Sequence, residues 1–116
     1  MTLAFYEEIA RRLRAGKTIA VATLVRSQGS TPRGFGSKMI VTESGDTAFS
    51  IGGGAFEGLV IEDALQAILD GQGFEKEYRF AEKGENALGM VCGGTARVLF
   101  EIVRPPALLV VFGGGH

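Results

Sequence analysis

The chain has 116 residues, of which 46% are hydrophobic, and its formal net charge is −1. This length supports one domain with a sizeable core, and the balanced charge gives no reason to expect nucleic acid or a membrane as a partner. No apolar run approaches the roughly 20 residues of a membrane span, and the N-terminus lacks the order of a signal peptide. We therefore expect a soluble, cytoplasmic protein. The single Cys92 cannot form an internal disulfide, which agrees with a reducing compartment.

The spacing of apolar residues predicts two main helices and about five strands. The first helix covers 2–15, begins at Thr2 and ends at Gly16, and the second covers 55–69 and ends near Gly71. The apolar positions of the first helix are Leu3, Tyr6, Ile9, Ala10 and Leu13. The predicted strands are 18–25, 38–42, 47–51, 75–80 and 95–103. We expect an α+β fold, a mixed sheet with both helices packed on it.

A domain boundary is predicted at Arg104, because the paired prolines that follow stop a strand and stiffen the connection. Residues 1–104 form the domain. Residues 105–116 contain an apolar run and three glycines before His116, a pattern typical of the first strand and phosphate turn of a Rossmann-like unit. We interpret this tail as a linker and the truncated first strand of a missing domain; an extra strand of the preceding domain is the alternative.

Three consecutive glycines, Gly52, Gly53 and Gly54, join a predicted strand to the second helix. Such a turn exposes backbone and aims free N–H groups at an anion. Glu57 lies in the first helical turn, where it can satisfy those groups itself or accept hydrogen bonds from a pterin or purine edge. The alternative interpretation is a tight turn that only packs against the sheet.

Two further glycine-containing segments carry polar groups. Residues 29–34 contain Ser30, Thr31 and Arg33, and the planar guanidinium of Arg33 suits a phosphate or carboxylate. Lys38 is a weaker candidate for the same anion. The alternative is a surface loop in which Arg33 pairs with a nearby acid such as Glu57.

The second of these segments consists of Cys92, Gly93 and Gly94. The glycines leave the thiol accessible and offer N–H donors that favour the thiolate, which suits a soft metal or sulfur transfer. A small buried cysteine is the alternative. The sequence contains no zinc-type cluster and no nucleophile, base and acid triad.

In order and spacing, the segments 29–33, 52–57 and 92–94 resemble the XdhC/CoxI family, accessory proteins of xanthine dehydrogenase and carbon monoxide dehydrogenase. The resemblance covers residues 1–104, and 108–116 looks like the opening strand and GxGH turn of the Rossmann-like domain that follows in that family. One position departs from the pattern: Ala55 stands where CoxI-type sequences often have a second cysteine, so a mechanism with two thiols from one chain is not expected.

The resemblance implies a chaperone, not an enzyme, that binds the molybdenum cofactor (molybdopterin) as cargo and inserts it, in sulfurated form, into an apo molybdenum hydroxylase of the xanthine dehydrogenase type. A cysteine desulfurase and a second copy of the chain are the further expected partners. The glycine triplet and Arg33 would hold the phosphate, Glu57 the pterin edge, and Cys92 would lie near molybdenum. The alternatives are a fragment of a nicotinamide-dependent oxidoreductase, suggested by the C-terminal glycines, and a non-catalytic dimerisation domain.

Overall fold

The computed structural model describes residues 3–29, 34–80 and 94–107. Within them the chain forms two helices and five strands, which confirms the α+β class. In chain order these are α1 (Leu3–Arg14), β1 (Ile19–Gly29), β2 (Lys38–Thr42), β3 (Thr47–Phe49), α2 (Gly54–Asp70), β4 (Phe74–Phe80) and β5 (Gly94–Val103). The larger departures from the predicted bounds are in β1, which continues four residues further to Gly29, and in β3, which ends two residues earlier at Phe49.

The five strands form one sheet in the order β3-β2-β1-β5-β4. All four pairings are antiparallel, so our expectation of a mixed sheet was wrong for the described strands. The reason is the path of α2. This helix carries the chain from β3 at one edge to β4 at the opposite edge, so the strands that run in the same direction are never neighbours.

One helix covers each face of the sheet. The larger core lies between the sheet and α2, where Phe56, Val60 and Ala64 pack against inward-facing residues of β1, β2, β4 and β5. The smaller core lies under α1 and contains Phe5, Ile19, Val21 and Ile40. Strand alternation separates the two sets, since Ala20 and Ala22 face α2 while their neighbours face α1.

The buried face of α1 differs from the predicted stripe. Phe5 is 1% exposed and packs with Ile9 and Leu13, which follow it at four-residue intervals, whereas Leu3 and Tyr6 are 70% and 59% exposed. The periodicity allowed both faces, because apolar residues lie on each of them. Tertiary contact with β1 and β2 selects the face that carries the phenylalanine.

Arg12 lies outside the predicted apolar stripe of α1, but it is buried. Its Nη1 donates to the hydroxyl oxygen of Thr42 at the end of β2, and its Nε donates to Glu8 Oε2 at 2.6 Å. A buried guanidinium is tolerated only when its donors are paired. Arg12 therefore fastens α1 to the β2–β3 hairpin.

Both helices end at a glycine, as predicted. Gly16 and Gly71 have φ values of 82° and 69°, the left-handed region that other residues resist. The N–H of Gly71 donates to Ile68 O at 3.1 Å, and that of Gln72 donates to Ala67 O at the same distance. Thr2, the predicted cap of α1, lies outside the described residues.

The C-terminal prediction stays a prediction. Arg104 and the two prolines follow β5 in extended or irregular backbone, in agreement with a strand that stops there. Residues 108–116, which contain most of the expected Rossmann-like strand and its glycines, lie outside the described part. Neither helix of the described ranges is long and apolar enough to cross a membrane.

Truncating Arg12 tests the attachment of α1. We expect Arg12→Ala to lower the free energy of unfolding by about 2 to 4 kcal/mol, because it leaves Thr42 and Glu8 without their buried donor. Arg11 is the matched control, since it also donates to Glu8 but its side chain is 67% exposed. Arg11→Ala should cost less than about 1 kcal/mol. Urea unfolding measures both, and equal losses would contradict the role given to Arg12.

The hydrogen bonds that Glu8 accepts from Arg11 and Arg12 make the free energy of unfolding depend on pH. Hydrogen bonds from Arg11 and Arg12 lower the pKa of Glu8 from 4.5 to about 2. Because the folded pKa is the lower one, the stabilisation is complete above about pH 4.5 and is lost as the pH falls towards 2. Urea midpoints over this window should fall more steeply for the wild type than for Glu8→Gln; parallel curves would show that the carboxylate contributes nothing.

Candidate functional site

The segments that contain the predicted loops leave the sheet at the same place. Gly29, the last residue of β1, is the register partner of Gly94, the first residue of β5, and Gly94 also pairs with Phe80 at the end of β4. Residues 30–33 therefore start, and residues 81–93 both start and end, at one end of three adjacent strands. Antiparallel pairing brings Gly29 and Gly94 together although more than 60 positions separate them in the sequence.

An irregularity in β1 lies just before this end of the sheet. The register between β1 and β5 shifts between Leu24 and Arg26, which makes Val25 an extra residue. Because side chains alternate, the shift places Ser27 opposite Ala96, on the face that α2 covers, and Arg26 opposite Arg97 on the other face. Bulges of this kind are frequent next to functional sites because they redirect side chains.

The N-terminal turn of α2 packs beside the same strand ends. The ring of Phe56 meets that of Phe80 edge-on, with centroids 5.1 Å apart, and that of Tyr78 at 5.4 Å. Phe80 is the register partner of Gly94. The glycine triplet is thus joined through one buried aromatic contact to the strands that carry the other two segments.

A polar cluster holds α2 against β4. The hydroxyl of Tyr78 donates to Asp63 Oδ2, and Lys76 Nζ reaches the same oxygen at 2.9 Å. Burial, with the hydrogen bond to Asp63, raises the pKa of Tyr78 above its usual value, so the phenol stays a donor at any physiological pH. This contact lies two turns after the start of α2 and restricts its position along the sheet.

The glycine triplet presents open backbone. Gly53 is the N-cap of α2 with φ −160° and ψ −178°, and it makes no side-chain cap hydrogen bond. Gly54 has φ 62°, which favours glycine. A Cβ built on either residue meets nothing within 4 Å among the described residues. Packing therefore does not require glycine at position 53, which weakens the alternative that the triplet only packs against the sheet.

Ser50 organises this turn, and sequence reasoning missed it. Its hydroxyl donates to Glu57 Oε1 at 2.8 Å, contacts the carbonyl of Gly52 and accepts the N–H of Gly52 at 3.1 Å. One hydroxyl proton serves one acceptor at a time, so Glu57 and the Gly52 carbonyl compete for it. The sequence signal for this role was a serine that lies two residues before a glycine and seven before a glutamate in the first helical turn.

Glu57 is half-buried, and its carboxylate accepts a hydrogen bond from Ser50 of the same turn. It remains the acidic residue of the first turn of α2 and partly satisfies the positive end of the helix. One carboxylate oxygen accepts from Ser50. Phe49, which precedes this turn, has φ 65°, a strained value for a bulky residue, and its ring contacts Phe5 edge-on at 5.4 Å.

The remaining candidates divide into two groups. Lys38 lies two residues before Ile40, on the face away from α2, with Nζ 3.5 Å from Thr23 Oγ1, so it does not join the triplet. Ser30, Thr31, Arg33, Cys92 and Gly93 lie outside the described residues. Among the residues that are described, no group of three or more His, Cys, Asp or Glu could hold a metal ion.

Comparison with known proteins places the chain in a family. A sequence model of the XdhC and CoxI family matches residues 12–79, more than half of the chain. The chain belongs to the XdhC and CoxI family. The match includes the glycine triplet, Ser50 and Glu57.

The chain is also similar to a curated relative and to a solved structure. The chain is 35% identical over 111 residues to the uncharacterized protein YqeB of Escherichia coli (strain K12), covering 96% of the chain and 20% of YqeB. A crystal structure of a xanthine dehydrogenase (BH1974) from Bacillus halodurans matches 82% of the chain and 29% of its own, with a TM-score of 0.68 and 22% identity. The similarity to this crystal structure shows that the two chains share a fold. The chain spans about a fifth of the length of the curated relative.

Two neighbouring glycines test whether the turn is open. Gly53→Ser should change the free energy of unfolding by no more than about 0.5 kcal/mol, because serine is a good N-cap in extended backbone. Gly54→Ser should cost about 1 to 2 kcal/mol, because its φ is positive. Urea unfolding compares the two. A large loss at position 53 would show that the site is filled by the protein itself.

Proposed function

We propose that the chain is a carrier of the molybdenum cofactor, which it holds and helps to insert, in sulfurated form, into an apo molybdenum hydroxylase of the xanthine dehydrogenase type. Membership of the XdhC and CoxI family, an accessory family, supports this role over catalysis. The observation that carries the proposal is the meeting of the Gly29, Gly94 and Phe80 strand ends beside the open N-terminal turn of α2.

The chemistry of the turn fits the anionic part of this cargo. The first N–H groups of α2 have no side-chain cap, and the helix dipole favours a phosphate in front of them. With no Cβ at Gly53, a phosphate oxygen can approach the backbone. Arg33, on the segment that starts at Gly29, would supply the charged donor that this end of the helix lacks.

The other end of the cargo is a pterin dithiolene that carries molybdenum. Glu57 can offer its second carboxylate oxygen to the pterin N–H edge while Ser50 holds the first. Cys92, two residues before Gly94, would supply a soft thiolate ligand near the metal. When bound, the cofactor supplies the metal and sulfur chemistry, and this chain supplies binding and orientation.

A carrier has to release what it binds. The triplet glycines Gly53 and Gly54 are exposed, so a ligand at this turn would keep one side open to a receiving enzyme. An open site with moderate affinity favours transfer over storage. A cysteine desulfurase, which the family resemblance implies, is the proposed source of the terminal sulfur ligand.

Anaerobic gel filtration with molybdenum cofactor tests the proposal. The chain should retain the cofactor and pass it to an apo-hydroxylase, measured as activity gained. Retention should fall at least about tenfold in Arg33→Ala and in Cys92→Ser, since each removes a direct ligand contact. Gly53→Ser should reduce retention by a similar factor while its stability is unchanged.

Arg14→Ala is the matched control for Arg33→Ala, because Arg14 is an exposed arginine at the far end of α1 on the opposite face of the sheet. It should retain the cofactor as the wild type does. Wild-type levels of retention in all three site variants would refute the site, and failure of the full-length protein to retain cofactor would refute the carrier role.

A further inference from the structure

Strand β4 forms an edge of the sheet. The charges of its seven residues are complementary to those of a second, antiparallel copy of the same strand. Only β5 pairs with it among the described strands, and its exposed side chains alternate in charge: Glu75, Lys76, Glu77 and Arg79. The other edge strand, β3, has three residues. The sheet thus has one edge long enough to bind another strand.

We propose that β4 pairs antiparallel with β4 of a second copy of this chain, centred on Glu77, to give a continuous sheet of ten strands. In this register Glu75 of each copy faces Arg79 of the other, and Lys76 faces Tyr78. Phe74 faces Phe80. This proposal is independent of any cofactor.

Charged side chains usually protect an edge strand from pairing. In β4 the charges disfavour one pairing register of two copies and favour another. Residues that pair across two strands lie on the same face of the sheet. An alternative register of the two β4 strands must therefore move the centre by whole residues, so that this rule still holds. A centre at Lys76 would place Glu75 against Glu77 twice and Lys76 against itself, which is repulsive. A centre at Tyr78 would form two Glu–Arg pairs but match only residues 76–80, whereas the centre at Glu77 forms two Glu–Arg pairs and matches all seven residues of β4.

The central Glu77 meets its own copy and would be repulsive alone. In each copy, however, Arg97 Nη2 donates to Glu77 Oε1 at 3.2 Å, and Arg79 Nε lies 3.4 Å from Oε2. The two carboxylates at the axis are therefore flanked by guanidinium groups of both copies. On the other face, Lys76 faces the uncharged Tyr78 of the second copy, so no like charges meet there.

Charge reversal tests the pairing by sedimentation velocity on the 116-residue chain. The wild type should show a mass twice that of the monomer. Arg79→Glu should raise the dimer dissociation constant at least about tenfold, since two attractive pairs become repulsive. The double variant Glu75→Arg/Arg79→Glu exchanges the charges and should restore the dimer. A monomeric wild type, an unaffected Arg79→Glu variant or a failed rescue would each overturn the proposal.

Cross-linking tests the register and does not depend on the charges. In a Cys92→Ser background, Glu77→Cys places two thiols at the axis, where a short bis-maleimide should link them. Arg79→Cys is the control, because the two copies of residue 79 would lie about 14 Å apart along the strands. Equal cross-linking at both positions would contradict the proposed centre. Circular dichroism on each variant shows whether loss of the dimer reflects loss of the fold.

Discussion

The antiparallel pairing of β1 with β5 is the constraint on which the rest of the structure depends. It joins the N-terminal and C-terminal halves of the domain in the middle of the sheet, and it ends at the Gly29–Gly94 pair. The helices cover the two faces that this pairing creates. Because β1 ends and β5 begins at this end of the sheet, the segments beyond them start from neighbouring points, and the position of the candidate site follows from the register.

The glycine triplet reaches that end through packing. Phe56 in the first turn of α2 contacts Tyr78 and Phe80, and Asp63 further along the helix binds Tyr78. The start of α2 therefore cannot move along the sheet without breaking a buried aromatic cluster and a half-buried hydrogen bond. This packing, together with the hydrogen bonds of Ser50, lets the open turn keep its shape.

Much of the fold could be predicted from the sequence, because strong local signals agreed with the final structure. β2 was predicted with its observed bounds, and Gly16 and Gly71 were identified as helix ends from their positions. The antiparallel sheet and the face of α1 could not be predicted, since strand order and the choice between two apolar faces depend on tertiary contacts. Arg12 gave no signal of burial, because its partner Thr42 is 30 residues away. The triplet and Glu57 were recognised as one turn, whereas the role of Ser50 became visible only as hydrogen bonds.

The most direct test of the central claim, that the three segments form one site, is an anaerobic NMR titration of the isotope-labelled chain with molybdenum cofactor. We expect the backbone amide signals of Gly29, Gly53 and Gly94 to shift together, with one dissociation constant, while those of α1 on the opposite face stay unchanged. Changes confined to one segment, or separate dissociation constants for the three, would contradict it.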